Sequence, residues 1–231
     1  MEVFVNDSFL ERRKRLASWS TYIAVGALVL GLVMSNRQII VSYVLLLVGM
    51  LGATIGSQLT AAYVREPRPG TVLSEALSGL DKRYALYCYY LPSHHVVVSH
   101  HGMTVLMPRA QRGEISYEND KWRHKAGARK LLQLFGEPAL GRPGADTQQE
   151  IEWVDEWAQD LLPEVEIPVT GVIAFTDPQA TLHAEESPVP AVKVGDLAEF
   201  LGDYLKGQPT LSTAQQKELR RKLDDVVQAD A

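Results

Sequence analysis

Two long runs without a charged residue lie near the start of the chain, and they constrain its fold more than any other feature. The first, Leu16 to Asn36, has 21 residues between Arg15 and Arg37. The second, Gln38 to Val64, has 27 residues between Arg37 and Arg65. A helix rises about 1.5 Å per residue, so about 20 residues cross a hydrocarbon core of about 30 Å. Trp19, Tyr22 and Tyr63 stand near the ends of the runs, where amphipathic rings prefer the membrane interface. A cleaved signal peptide also starts basic and turns apolar, but no A-x-A-like site follows Met34 and a second span comes at once. A buried helical hairpin of a soluble protein is the other alternative. The expectation is a transmembrane hairpin over 16–64, with spans at about 18–35 and 39–62.

Charge orients the hairpin. Arg12, Arg13, Lys14 and Arg15 precede the first span, Arg65 and Arg68 follow the second, and the connecting turn holds only Arg37. The positive-inside rule then places both termini in the cytoplasm, at a cell membrane crossed twice. Mean hydropathy of −0.08 and a net charge of −5 look like those of an ordinary soluble protein. They average a basic start, +3 up to Gly70, and an acidic remainder, −8 beyond it. The expected order is a basic cytoplasmic N-terminus (1–15), the hairpin, a linker (65–71), a cytoplasmic domain (72–206) and a helical tail (207–231). Ala27 and Gly31, and Gly52 and Gly56, are small pairs at helical spacing that let backbones approach closely. They pack either the two hairpin helices together or a further membrane helix, so the partners implied are the lipid bilayer and a protein partner or second copy. No Asp, Glu, Lys, Arg or His lies within either run, which argues against an ion or proton path through this chain alone.

Beyond Gly70 the pattern is mixed. Val72–Leu80 reads as a short helix, Arg83–Leu91 as a strand ended by Pro92, and His95–Ser99 with Met103–Met107 as a hairpin around His100-His101-Gly102. Glu114–Trp122 reads as a further strand or hairpin. Ala126–Phe135 is a predicted helix stopped by Gly136. Thr147 with Glu150 suggests a capping box opening the next helix, with a stripe at Ile151, Val154, Trp157 or Ala158, and Leu161. Val169–Phe175 and Val189–Val194 read as buried strands, so helix and strand alternate as in an α/β domain with partly parallel pairing. Asp196–Leu205 is a predicted helix. Ser212 and Gln215 cap a last one, with Leu219, Leu223 and Val226 on one face, read as a loosely attached tail.

The chemistry-bearing residues are sparse. Cys88 is the single cysteine, so there is neither an intramolecular disulfide nor a Cys-rich zinc site. His94, His95, His100 and His101 crowd into eight residues. His94 and His100 are about 20 Å apart along an extended strand, too far for one zinc ion, so solvated turn and strand-end histidines are expected. Phosphate-binding glycine loops, the G-x-S-x-G elbow and H-E-x-x-H are all missing. The acidic balance beyond Gly70 opposes broad nucleic-acid affinity. Lys121, Arg123, His124, Lys125, Arg129 and Lys130 are a candidate local basic patch, read as a solvated face.

The segment from His94 to Arg109, then Gly113-Glu114-Ile115 and Trp122, and later Ile167 to Pro178 and Pro188 to Val192, resembles the nuclease-related domain (NERD) family. That family is similar to PD-(D/E)xK nucleases, and the resemblance spans roughly Val72 to Leu205. It implies a restriction-endonuclease-like α/β fold, a mixed sheet flanked by helices, here preceded by the two-helix transmembrane hairpin. The departures fall on the chemistry. His94 stands at the family's metal-binding Asp, Met107 at its Glu and Arg109 at its Lys. Mg²⁺ wants carboxylate oxygens, whereas a thioether is soft and an imidazole suits zinc better. Arginine cannot give up a proton near neutral pH. Gln148 or Gln149 matches a family Gln, while Glu75 and Glu114 fall off the motif. The expectation is a domain with no catalytic triad, no metal and no cofactor, acting as an interaction or scaffold protein at the cytoplasmic membrane face. The alternatives are an accessory subunit of a larger membrane complex and an active nuclease with a migrated site. Nucleic acid remains a disfavoured partner.

Overall fold

A computed structural model describes residues 1–64, 66–125 and 140–229. The predicted helix Ala126–Phe135 with its Gly136 stop, and Arg65, Arg129 and Lys130, lie outside the described residues. The chain divides into two units: Asp7–Arg68, and Met1–Asn6 together with Pro69–Ala231.

The first unit is a helical hairpin. α1 runs Asp7–Met34 and α2 runs Ile39–Leu59, continued by a π-helical turn at Thr60–Val64. Both are long and apolar enough to cross a membrane, with 17% of each apolar stretch buried. The buried positions recur every seven residues: Leu10, Ala17, Ala24 and Gly31 on α1, and Ser42, Gly49 and Gly56 on α2. A seven-residue repeat keeps one seam of each helix facing its neighbour, and small residues there allow close backbone approach. A Cβ added to Gly49 would lie 2.5 Å from Leu28 Cγ, and one on Gly56 would lie 2.8 Å from Thr21 Oγ1. Gly52 faces Ala24, and Gly31 faces Ser42 and Leu45. Ala27 is half-buried on the same side of α1. Gly31, Gly52 and Gly56 therefore pack the hairpin against itself, and Ala24 and Gly49 join them at the seam. Two hydroxyls cross it: Ser42 donates to Gly31 O at 2.6 Å and Ser20 to Gly52 O at 3.0 Å. Each answers a carbonyl within the apolar stretch. The outward faces, among them Trp19, Ile23, Val29, Leu32, Tyr43 and Leu47, are exposed.

The second unit is built on a six-stranded mixed sheet. Its strands, in spatial order, are β1 (Glu2–Val5), β2 (Ala85–Cys88), β3 (His95–Ser99), β4 (Gly102–Arg109), β7 (Val169–Phe175) and β9 (Ala191–Lys193). β2–β3 and β3–β4 are antiparallel, and the other neighbours are parallel. A smaller sheet joins β6 (Lys121–Lys125), β5 (Gly113–Glu118) and β8 (Ala180–His183). Among the described residues the helices are α3 (Pro69–Ala76), α4 (Pro143–Leu161), α5 (Leu197–Tyr204) and α6 (Thr213–Ala229).

Several expectations change here. The stretch 1–15 is not one basic arm, because its residues 2–5 form β1. Phe4 stacks on Tyr87 at 4.8 Å, and Asn6 N–H donates to Cys88 O at 3.0 Å. The hairpin is thus inserted into the domain, between β1 and α3. Pro69 and Gly70, expected in a linker, form the first turn of α3, where a missing N–H costs nothing. Thr147 does not cap α4. That helix starts four residues earlier at Pro143, and Thr147 Oγ1 donates back to Pro143 O at 2.7 Å.

The C-terminal helix α6 is no loose tail: Leu211, Leu219 and Leu223 share a core with Val96, Val98, Met103, Val105, Val154 and Ala158. Its capping box does form, with Ser212 N–H donating to Gln215 Oε1 at 2.8 Å and Gln215 N–H to Ser212 Oγ at 3.3 Å. α4 and α6 thereby cover one face of the large sheet. Gly171 permits the approach of α4, since a Cβ there would lie 2.6 Å from Ile151 Cδ1. α3 lies on the opposite face, where a Cβ on Gly70 would come within 3.3 Å of Cys88 Sγ.

Candidate functional site

His94, Met107 and Arg109 converge at one end of the large sheet. β3 and β4 pair Val96 with Val105, and continuing that register by two residues sets His94 across from Met107. In the next strand Met107 pairs with Ile173 and Arg109 with Phe175. Alternation along a strand puts His94, Met107 and Arg109 on one face, the face that carries α4.

The donor set does not suit a hard cation. Met107 is 9% exposed and sits in an apolar cluster with Ile115, Leu140, Ile173, Phe175 and Val189, between the two sheets. Trp122 and Leu182 of the small sheet pack against that cluster. Arg109 reaches the first turn of α4, where its Nη2 meets Asp146 Oδ2 at 2.5 Å; its Nε is buried without a hydrogen-bond partner among the described residues. His94 is exposed, its ring edge-on to Tyr89 at 5.5 Å. A thioether in an apolar cluster, a guanidinium and one imidazole offer no carboxylate cage, so Mg²⁺ does not fit here. Among the described residues, no group of three or more His, Cys, Asp or Glu is placed to hold a metal.

Two carboxylates missed by the sequence reading stand beside these positions. Asp146 and Glu150 are one turn apart on α4. Asp146 is taken by Arg109, and Glu150 Oε2 accepts a 2.5 Å hydrogen bond from Ser93, whose residue is 1% exposed. Glu150 forms no capping box with Thr147 among the described contacts; it anchors the loop before β3 instead. Gln148 and Gln149 are exposed. Glu75 is exposed on α3, and Glu114 pairs with Lys125 at 3.0 Å.

His94 is solvated as expected, but the other three histidines of the cluster are not. His95 is 4% and His101 8% exposed, and His100 is half-buried. His95 Nε2 is buried without a hydrogen-bond partner among the described residues, and burial pushes its pKa down to about 3. Its pairing partner across the sheet, Cys88, is pushed up to about 12 by burial. Both are therefore neutral near pH 7, and neither has the character of a reactive thiolate or of a general base. A pH effect follows. The unfolded chain protonates His95 near pH 6.5, whereas the native chain does so only near 3. Stability is unaffected above about pH 6.5 and falls below it, by up to about 1.4 kcal/mol per pH unit. Between pH 6.5 and 5, chemical unfolding of the full chain in detergent is expected to show about 2 kcal/mol more loss than in His95→Leu.

The basic patch is partly neutralised in place. Lys121, Arg123 and Lys125 alternate on β6, but β5 sets Glu118 and Glu114 across from Lys121 and Lys125. His124 Nε2 bonds to Arg112 O at 2.6 Å. In the hairpin unit, Arg13 lies over the Phe9 and Tyr63 rings at 4.9 and 5.8 Å. Arg12 donates to Ser8 at 3.3 Å, and Arg68 pairs with Glu66 at 2.7 Å. Comparison of the chain with family models, with curated proteins and with solved structures gives no match.

Proposed function

We propose that this chain is a membrane-anchored, nuclease-like domain without metal-dependent catalysis, serving as an interaction or scaffold protein at the cytoplasmic membrane face. The observation that carries the reading is the end of the sheet at His94, Met107 and Arg109. A thioether packed between two sheets and an Arg109–Asp146 ion pair occupy the position where a nuclease of the resembled family would gather carboxylates. The mixed sheet flanked by helices supports the restriction-endonuclease-like fold. The two apolar helices support the membrane hairpin. Because β1 and α3 belong to one unit, the chain leaves that unit and returns to it, which favours both ends of the hairpin on one side of a bilayer. The basic residues at 12–15 and Arg68 favour the cytoplasmic side.

The test is incubation of the full chain in detergent with DNA and with RNA, in Mg²⁺ and in Mn²⁺. No cleavage above a no-protein control is expected. Cleavage that disappears in Asp146→Asn or Glu150→Gln would overturn the reading and assign a migrated active site on α4.

A further inference from the structure

A second feature lies away from the degenerate positions. A cleft of about 340 Å³ opens between the loop before β2, the end of β3 and the first two turns of α6. Lys82 and Arg83 line it from the loop, His100 from the β3–β4 turn, and Thr213, Lys217 and Arg220 from α6. Four cations thus converge, in a chain that carries −8 beyond Gly70. Among the described residues, the carboxylate paired with this set is Asp81, which meets Arg83 at 2.6 Å; Lys82 and Lys217 have no ion-pair partner there. Unbalanced like charges repel one another and cost stability, a cost that a bound anion offsets.

The walls of the cleft are pinned by bonds independent of any ligand. Arg220 donates to Lys82 O at 3.2 Å and Arg83 O at 3.5 Å, tying the loop to α6. Leu211 N–H donates to His100 O at 2.8 Å, tying the β3–β4 turn to the segment entering α6. The Ser212–Gln215 capping box fixes the start of the helix. One side of the first two turns of this 17-residue helix, from Thr213 to Arg220, therefore forms a fixed wall of the cleft.

We propose that this cleft binds a small phosphate-bearing anion, held by Lys82, Arg83, Lys217 and Arg220 at the N-terminal end of α6. Two lysine point charges with two guanidinium groups suit a multiply charged tetrahedral oxyanion better than a single carboxylate. The volume accommodates a phosphate with a modest attached group. A soluble phosphorylated metabolite and a phospholipid headgroup share this chemistry. The site stands independently of the nuclease-like reading, since it uses none of His94, Met107 or Arg109.

The test uses the full chain in phosphatidylcholine nanodiscs, titrated calorimetrically with inorganic pyrophosphate, beside the double variant Lys82→Ala/Lys217→Ala. Both side chains are exposed and the substitutions relieve like-charge repulsion, so the variant is expected to fold and to melt no lower than the wild type without ligand. Saturable binding that weakens about tenfold or more in the variant is the expected result. No saturable binding up to about 1 mM, or equal affinity in the variant, overturns the proposal. Repeating the titration in phosphatidylglycerol nanodiscs separates the sources. Weakened binding confined to the wild type indicates competition by headgroups, and unchanged binding indicates a soluble ligand; either upholds the site.

Discussion

A domain in which residues 1–6 are joined to residue 69 by a short flexible linker, replacing the hairpin, is expected to be about 4 kcal/mol more stable than a fragment beginning at Pro69. The difference is the worth of β1. Its four residues pair in parallel with β2, Phe4 stacks on Tyr87, and Asn6 bonds to Cys88. Burying most of a Phe side chain contributes about 2 kcal/mol, and a few ladder bonds at about 1 kcal/mol each, less the cost of ordering the strand, supply the remainder. The linker is feasible because both ends of the gap lie at one residue. Asn6 N–H bonds to Cys88 O, and a Cβ on Gly70 would touch Cys88 Sγ. About six Gly/Ser residues span some 13 Å on average, enough for such a gap. Urea unfolding of the two proteins measures the difference. Equal midpoints would show that β1 adds nothing, and that the N-terminal stretch is an arm outside the fold.

Gly102→Ala is expected to cost about 4 kcal/mol, enough to lower the melting temperature of the full chain in detergent by about 10 °C. Gly102 closes the β3–β4 turn with φ of 101°, a backbone region that L-residues rarely adopt. The added Cβ would also lie far inside van der Waals contact with the carbonyl oxygen of Pro168, a backbone atom that cannot rotate away. That same oxygen accepts the Met103 N–H at 2.9 Å where β4 and β7 begin to pair. Relief of the clash must therefore pull apart the first rungs of the central parallel pair. Gly79→Ala is the control: nothing lies within 4 Å of its Cβ, and no melting shift beyond about 2 °C is expected. Similar melting of the two variants would remove the argument.

The strands and helices recovered from sequence were those with strong local signals. β3, β4 and β7 are runs of β-branched and apolar residues; β3 and β7 formed at the expected residues, and β4 extends beyond the expected Met103–Met107 by one residue at its start and two at its end. α6 carried its own capping box. β1 and β8, four residues each, were missed. Such strands acquire their hydrogen bonds from partners about 80 and 65 residues away, so local pattern says little. The α4 start was misplaced because the Thr147–Glu150 spacing imitates a cap, while Pro143 supplies the actual first turn.

The candidate site divides in the same way. His94, Met107 and Arg109 could be singled out only through the family resemblance, but their side-chain chemistry is a local property. The sequence by itself determined which chemistry these positions can supply, and it determined two charge-free spans that a helix could carry across a bilayer. Tertiary structure alone decided where Arg109 finds its countercharge, what surrounds Met107, and that His95 and His101 are buried. It also decided that the hairpin is inserted into the domain, that Ala24 and Gly49 share the seam with Gly31, Gly52 and Gly56, and that cations more than 100 residues apart line one cleft. Periodicity and capping act between residues a few positions apart, and so can be read along a chain. Burial, ion pairing and cleft formation depend on segments distant in sequence, and they exist only once the sheet has assembled.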